Sequence, residues 1–300
     1  MIWCVTWNPS LDVTYVLERP LKSGEIFRSY QELYRAGGKG NNVARALRVL
    51  GTWPTSVGFY GGPHGDYIQS LLRDNAIDIL SEKIPGDNRM CLTILDSSQH
   101  VTELRGVGPF VTMANQESLL SRLVSAIDAQ DWVVLSGSLP PGLQPEVVGT
   151  WINRLAGHTR GIIVDMAGPT LQYAWCPQVY GICPNHDEYH DLLSQRLSNQ
   201  GPLNVFVTQG SHGIKWKRAG KQDIEVKVPP TDSINPVGAG DVFVAGLVSI
   251  LAQGGTVIEA VLTGAAAATA SITSLGVADF SPSMFESTLD RIRRENTHLN

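Results

Sequence analysis

The residues best suited to chemistry lie in the segment 235–241, which leads directly into the apolar run 242–247. The Gly-Ala-Gly spacing at 238–240 predicts a tight turn whose backbone N–H groups converge on one anion. The apolar run predicts a buried helix, so these N–H groups would lie at a helix N-terminus, where the dipole favours negative charge. The carboxylate of Asp241 would repel that anion, unless it takes a proton from a group that attacks it. The segment therefore indicates phosphoryl transfer.

Two ordinary interpretations compete with this one. A Gly-x-Gly sequence before a helix is common as simple turn chemistry, and it also begins the dinucleotide fingerprint. The fingerprint fits poorly, because Phe243 occupies its third glycine position and residues 229–233 predict a loop where the fingerprint needs a strand.

A second glycine-rich segment, Gly-Gly-Lys-Gly-Asn-Asn at 37–42, precedes another helical pattern. We expect Asn41 or Asn42 to cap that helix and Gly51 to end it. A Walker phosphate loop would need Ser or Thr after Lys39, and this chain has glycine there. The alternative is a flexible turn with a solvated lysine. The neighbouring amides favour a binding loop, since they can donate to and accept from hydroxyl groups.

Together these segments resemble the two signatures of the ribokinase-like family, also called PfkB carbohydrate kinases. The amino-terminal signature corresponds to residues 37–50 and the carboxy-terminal signature to residues 235–247. Four further family motifs are similar to residues 8–12, 135–142, 184–188 and 208–213, in the same order. Residues 8–12 resemble the family's first strand with its sugar-contacting aspartate. Six ordered matches over nearly the whole chain make the resemblance specific.

The resemblance implies a kinase that uses ATP and Mg²⁺, with Asp241 as the base that deprotonates a primary hydroxyl of a sugar. The N–H groups that would hold the transferring group belong to Gly238, Ala239 and Gly240. The implied substrate-binding residues are Asp12, Gly37, Gly38, Lys39, Asn42, Arg89, Arg28 and Ser138. The implied nucleotide-binding residues are Asn185, Glu188, Thr208, Gly210 and Gly213, and the first two would hold the metal indirectly, through water.

Residues 8–12, 102–104 and 108–109 are similar to the 1-phosphofructokinase and tagatose-6-phosphate kinase branch, whose acceptors already carry a phosphate. A second phosphate needs fixed cations away from the ATP site, and a guanidinium fork suits its oxygens. Arg89 and Lys39 are the first candidates, and Arg28 is the third.

The chain departs from the branch pattern in two places. Asn88 and Cys91 lie beside Arg89 where the branch has Thr and Asn, and Cys183 replaces an expected lysine. The acceptor is therefore left open among tagatose 6-phosphate, fructose 1-phosphate and fructose 6-phosphate. Two alternatives also stay open: a kinase of an unphosphorylated sugar or nucleoside, and a non-catalytic sugar-phosphate-sensing protein on the same fold.

The elements that must position these residues alternate between buried strands and amphipathic helices, which predicts an α/β fold with a mostly parallel sheet covered on both faces. With the resemblance, we expect a single ribokinase-like domain over residues 1–300, a three-layer sandwich with a small β-lid. The clearest predicted strands are 2–5, 132–135, 162–164 and 205–207, and the clearest predicted helices are 116–129 and 146–155.

Two strand pairs interrupt the alternation, residues 13–17 with 26–33 and residues 90–95 with 100–105. The resemblance makes them the lid over the sugar, formed by segments of about 13–34 and 88–106. A lid excludes water, which would otherwise take the phosphoryl group of ATP. Its exposed edges predict pairing with a second subunit as a homodimer.

Composition excludes several classes of partner. A net charge of −5 without basic runs argues against nucleic acid. No apolar run is long enough to span a membrane, and the first residues do not form a secretory signal. The four cysteines lack paired metal spacing, which indicates reduced thiols. We therefore expect a cytoplasmic enzyme.

Overall fold

The computed structural model describes residues 1–98, 100–195, 197 and 200–299. Its elements follow one another in this order: β1 (Ile2–Thr6), β2 (Ser10–Val16), β3 (Gln31–Gly37), α1 (Lys39–Val49), β4 (Pro54–Tyr60), α2 (Gly62–Asp74), β5 (Asp78–Lys83), β6 (Arg89–Leu95), β7 (Val101–Arg105), α3 (Met113–Ala126), β8 (Trp132–Ser136), α4 (Glu146–Leu155), β9 (Gly161–Asp165), β10 (Gly181–Ile182), α5 (His186–Leu193), β11 (Asn204–Thr208), β12 (Ile214–Lys217), β13 (Ile224–Val226), α6 (Ala239–Ala252), α7 (Val257–Ser271) and α8 (Pro282–Glu295).

The larger sheet has the strand order β13-β12-β11-β10-β9-β8-β1-β4-β5. The strands from β11 to β5 are parallel, and β12 and β13 add an antiparallel edge. Every residue of β1, β8 and β9 is buried, as expected when helices cover both faces. The predicted α/β fold with a mostly parallel sheet is confirmed.

Two apolar cores lie on opposite faces of this sheet. Side chains of α1, α6 and α7 belong to one core, and those of α3 and α4 belong to the other. Where α6 crosses α7, Gly246 approaches Gly264 so closely that an added Cβ would come 2.6 Å from its Cα. Among the described residues, none of the helices combines the length and apolar character that crossing a bilayer requires.

The smaller sheet has the order β3-β2-β6-β7. The pair β6–β7 lies where the sequence predicts it, but β2 pairs with residues 31–37, later than the expected 26–33. Pro20 and Gly24, which has a φ of 82°, lie in the connection, and β3, which carries Glu32 and Arg35 and is exposed only at its start, has little strand signal. Asp12 lies on β2 of this sheet and not on the first strand of the chain.

The start of α1 differs from expectation, because the asparagine side chains there have other partners. α1 begins after Gly38, whose φ is 89°, and Asn41 lies in its first turn, where its amide donates to the Gly37 carbonyl at 2.9 Å. The prediction that an asparagine caps α1 is therefore wrong. Gly51 follows the helix with a φ of 77°, as expected.

Candidate active site

A cavity of about 390 Å³ lies at the carboxyl ends of β1, β8 and β9, where α/β sheets bind ligands. The smaller sheet closes its other side. Of the residues that the sequence singles out, those lining this cavity are Asp12, Gly38, Lys39, Asn42, Arg89, Ser138, Glu188, Gly238, Ala239, Gly240 and Asp241. The two glycine-rich segments therefore meet at one site.

The turn before α6 leaves the N–H groups of Gly238 and Gly240 without an acceptor among the described residues, whereas the N–H group of Ala239 donates to the Pro236 oxygen at 3.2 Å. Gly238 has left-handed backbone angles, and no side chain in the described part of the chain caps the helix. A Cβ on Gly238 would come 3.1 Å from the side chains of Val277 and Ala278, so this position requires glycine for both reasons. A Cβ on Gly240 would meet no described atom within 4 Å. The space beside Gly240 can therefore accept a ligand.

Asp241 lies in the first turn of α6 and is 4% exposed. Asn42 Nδ2 donates to its Oδ2 at 2.7 Å. Burial, with the nearby charges of Asp165 and Asp12, raises the pKa of Asp241 to about 7, against the opposing effects of Lys39 and the Asn42 amide. A carboxyl with that pKa can accept a proton near neutral pH and pass it on.

Lys39 and Asp165 form an ion pair, with 2.8 Å between Nζ and Oδ1. Burial lowers the pKa of Lys39, but the charges of Asp165 and Asp241 outweigh burial and hold it above its usual value. Lys39 is therefore cationic. The other oxygen of Asp165, Oδ2, is buried and has no hydrogen-bond partner among the described residues.

Sequence reasoning missed Asp165. Its signal is an acidic residue at the end of a completely buried parallel strand, which places a carboxylate at the ligand-binding edge of the sheet. The structure also places the ammonium of Lys39 in the field of Asp165, Asp241 and Glu188, whereas the sequence assigned it to the phosphate of the sugar.

Asp12 faces the same cavity from the smaller sheet. Ser10 Oγ donates to its Oδ1 at 2.6 Å, and burial raises its pKa in spite of that bond and of nearby arginines. A Cβ on Gly37 would lie 2.0 Å from Asp12 Cγ, so glycine there makes room for the carboxylate. Gly37 supports the site without being one of the residues that line the cavity.

Arg89 is fixed by backbone carbonyls. Its Nε and Nη2 donate to the Asn8 oxygen at 3.2 and 2.9 Å, and Nη1 donates to the Gly106 oxygen at 3.2 Å. A guanidinium carries five N–H donors, so this arrangement leaves two for a ligand in a fixed orientation.

Arg105, at the end of β7, is a second arginine beside the cavity, and the sequence interpretation missed it. It donates from Nη2 to both carboxylate oxygens of Glu103 at 2.9 Å, and both residues line the cavity. The position of Arg105 in the strand pair is the signal that could have identified it. The strands β6 and β7 pair antiparallel, and Arg105 lies opposite Cys91, near Arg89.

Arg28 does not reach this cavity and lines a separate surface cavity with Tyr15, Phe27 and Glu32. β2 and β3 are antiparallel, and Ser10 pairs with Gly37 at the site while Val16 pairs with Gln31 at the other end. Residues 17–30 follow that far end, about 20 Å along the strands. The predicted role of Arg28 within this chain's cavity is therefore wrong.

A second cavity of about 410 Å³ lies on the other side of the glycine turn. It shares Pro236, Ala239 and Gly240 with the first cavity. Its polar end includes Thr208 and Gly210, and its apolar walls are formed by Ile214, Val228, Phe243, Ala265, Ala268 and Ile272. The two cavities therefore adjoin at the predicted anion site.

Three predicted nucleotide-side residues have structural roles of their own: Gly213, Asn185 and Glu188. Gly213, with a φ of 91°, does not line the second cavity, and a Cβ there would come 2.1 Å from the Val226 oxygen. Its glycine is explained by close packing against β13. Asn185 and Glu188 cap α5 reciprocally, each side chain accepting from the other's N–H at 2.8 Å.

Asn185 and Glu188, which the resemblance assigns to the metal, lie at the start of α5. Among the described residues, no group of three or more His, Cys, Asp or Glu side chains is placed to hold an ion. Glu188 lines the first cavity, and burial raises its pKa. Mg²⁺ keeps several of its waters in such sites, so contact through water fits this arrangement.

The comparisons with known proteins agree with the geometry. The family described as pfkB family carbohydrate kinase matches residues 10–284. A tagatose-6-phosphate kinase from Staphylococcus epidermidis is 34% identical over 267 residues, which cover 83% of this chain and 84% of that protein.

Solved structures share the fold over nearly the whole chain. Phosphofructokinase-2 from Escherichia coli, in complex with substrates and products, superposes with a TM-score of 0.88 at 25% identity, covering 98% of this chain and 99% of that one. A possible 1-phosphofructokinase from Thermotoga maritima superposes with a TM-score of 0.83 at 21% identity, covering 97% of both chains. At that identity the second likeness supports the fold alone.

Proposed function

The chain belongs to the pfkB family of carbohydrate kinases, and on that premise we propose that it transfers the γ-phosphoryl group of ATP to a primary hydroxyl of a ketohexose phosphate. One observation carries the proposal. Two cavities meet at Pro236, Ala239 and Gly240, and Asp241 lines the first of them. An acceptor in the first cavity and a nucleotide in the second would bring the attacking oxygen to the γ-phosphorus at this turn.

Asp241 takes the proton from the hydroxyl as that oxygen bonds to the γ-phosphorus and the bond to the ADP oxygen breaks. The N–H groups of Gly238 and Gly240 hold the charge on the transferring group, and one such preorganised donor contributes about 3 kcal/mol. The N–H group of Ala239 stays on the Pro236 oxygen. Lys39 is assigned to the transferring phosphoryl group, because its ammonium lies among Asp165, Asp241 and Glu188.

The acceptor's own phosphate is assigned to Arg89 and Arg105. Both line the acceptor cavity on the side of the smaller sheet, away from the second cavity. Arg89 is held in place by carbonyls, and Arg105 is neutralised by Glu103 until a phosphate offers its guanidinium a bidentate partner. Asp12, Asn42 and Ser138 are assigned to the sugar hydroxyls.

The nucleotide is assigned to the second cavity, with its base against the apolar walls formed by α6 and α7. Thr208 and Gly210 lie toward the phosphates. Asn185 and Glu188 would hold Mg²⁺ through water, and the ion would neutralise charge on the β- and γ-phosphates.

The test is ADP release from ATP–Mg²⁺ with a panel of acceptors. It compares tagatose 6-phosphate, fructose 1-phosphate and fructose 6-phosphate with free sugars and nucleosides. Turnover confined to a phosphoketose would support the proposal and identify the acceptor. Turnover on a free sugar or nucleoside would keep Asp241 as the base and remove the phosphate role of the arginines. No turnover with any acceptor would favour a sugar-phosphate sensor.

A homodimer through the smaller sheet is part of the proposal, because β3 and β7 are its edges and Leu104 on β7 is exposed. Light scattering at micromolar protein tests it. A monomeric mass would exclude the dimer without affecting the chemistry.

A further inference from the structure

Arg45 lies on α1 and is 5% exposed, although it does not line the active-site cavity. Arginine is almost never fully buried unless it is paired. Here the guanidinium has four acceptors: Nε donates to the Ala36 oxygen at 3.1 Å, Nη1 to Asp279 Oδ1 at 2.9 Å, and Nη2 to Asn42 Oδ1 at 2.9 Å and to the Val277 oxygen at 2.8 Å. These acceptors belong to three places beside the site: the strand β3, the helix α1 and the segment 277–279.

The contact with Asn42 determines which way that amide faces. Because Arg45 donates to Oδ1, the Nδ2 group is turned to the other side, where it donates to Asp241 Oδ2 at 2.7 Å. An amide without the arginine could present its oxygen to the carboxylate and repel it. Arg45 therefore acts on Asp241 through Asn42.

The contact with Asp279 connects the same guanidinium to the smaller sheet. Asp279 Oδ2 also accepts from Arg35 on β3, with 2.8 Å to Nη2 and 2.9 Å to Nε. The segment 277–279 packs on Gly238, where an added Cβ would touch Val277 and Ala278. Arg45 thus joins β3, the segment under the glycine turn and the amide that contacts Asp241.

We propose that Arg45 is a positioning residue for phosphoryl transfer, which holds the Asn42 amide toward Asp241 and ties β3 and segment 277–279 to that arrangement. The inference rests on the proposed function, since it takes Asp241 as the base. Arg45 contacts neither the acceptor cavity nor the nucleotide cavity, so its effect is transmitted entirely through these neighbours.

The effect on pH dependence has a definite sign. The charged groups that act on Asp241 are Lys39, Asp165 and Asp12, and the Asn42 amide is its hydrogen-bond donor. Loss of that donor disfavours the ionised carboxyl, so the pKa of Asp241 rises and the acidic limb of activity moves to higher pH.

The first experiment measures the pH profiles of kcat and kcat/KM for wild type, Arg45→Met and the matched control Arg48→Met. Arg48 lies on the same helix, but it donates to the Asn75 and Thr52 oxygens and stacks on Trp53. We expect Arg45→Met to lower kcat about 10- to 100-fold and to move the acidic limb up by about one pH unit. The control should keep the wild-type profile.

A double-mutant cycle separates positioning from a general loss of stability. If Arg45 acts through Asn42, then Arg45→Met should add little to the loss of kcat caused by Asn42→Ala. Additive losses would contradict the inference. Should Arg45→Met fail to fold, Arg45→Lys and Asp279→Asn replace it in the same cycle, since each keeps a polar group while disrupting the guanidinium contacts.

The outcomes distinguish the inference from the proposed function. A wild-type protein that turns over no acceptor contradicts the proposed function, and the inference falls with it. An active wild type whose folded Arg45 variants keep kcat within about twofold, with an unmoved acidic limb, overturns the inference alone.

Discussion

Asn42 Nδ2 lies 2.7 Å from Asp241 Oδ2, although the two residues are 199 positions apart in the chain. The contact joins the first turn of α1 to the first turn of α6, so the two glycine-rich segments converge on one carboxylate. That carboxylate is buried, is near a cation and lies beside a helix N-terminus where the N–H groups of Gly238 and Gly240 have no acceptor among the described residues. The combination explains how a group that repels phosphate can remain next to a phosphate site.

Asp241→Asn should lower kcat by about 10³-fold or more while leaving ATP affinity within about twofold. The amide cannot take the hydroxyl proton, but it has nearly the same shape and keeps an oxygen that accepts from Asn42. Steady-state turnover and calorimetric titration with ATP check the two parts. Turnover close to wild type would remove Asp241 from the role of base.

The same substitution should stabilise the folded protein at high pH. In the folded chain, the pKa of Asp241 is raised from its usual value of 3.8 to about 7. Ionisation of this carboxyl therefore lowers the free energy of unfolding as the pH rises from about 4 to about 7. Asp241→Asn should therefore increase the free energy of unfolding at pH 8 and change it much less at pH 4. Urea unfolding at both pH values measures the difference, and an equal effect at both would contradict the raised pKa.

Wild-type kcat/KM should rise with pH and reach a plateau above about 7, because Asp241 must be ionised to accept a proton. Lys39 lowers the pKa of Asp241 by its charge, so Lys39→Met should move this acidic limb to higher pH and also reduce the plateau. Lys83→Met, at the exposed last position of β5, is the matched control. A limb that does not move in Lys39→Met would show that the lysine does not act on the base.

Arg105→Ala should raise KM for a phosphorylated acceptor about 10- to 100-fold, as expected for loss of a charged hydrogen-bond partner, with KM for ATP unchanged. Arg89→Ala should do the same, with an added cost because its guanidinium also holds the Asn8 and Gly106 carbonyls. Arg28→Ala is the control, since Arg28 lines a different cavity. Unchanged acceptor KM in both variants would favour an unphosphorylated acceptor.

The sequence predicted the sheet and the convergence of the signatures because both depend on local patterns. Runs such as residues 132–135 are apolar throughout, and a run this short and rich in valine is typical of a strand buried on both faces. The glycine turn at 238–240 likewise carries its own backbone requirements. These features are readable without knowing what packs against them.

The parts that could not be predicted depend on distant partners. The strand β3, which contains Glu32 and Arg35, is identified by its pairing with β2, not by its composition. Asn42 does not cap α1 because its amide has partners in Asp241 and Arg45. The ion pair of Lys39 with Asp165 links residues 126 apart, so neither residue alone indicates the other.

Gly240→Ala should separate folding from activity. A Cβ at Gly240 would meet no described atom within 4 Å, and the residue lies in the first turn of α6, where alanine favours the helix by up to about 1 kcal/mol. The protein should therefore be as stable as wild type or slightly more so. The methyl group would project where the two cavities join, so kcat should fall at least about 100-fold.

Gly246→Ala on the same helix is the opposite case, because its Cβ would collide with Gly264 at 2.6 Å and lower the melting temperature. Thermal melting and turnover of the two variants test the assignment, and full activity in Gly240→Ala would show that the transferring group does not pass this turn.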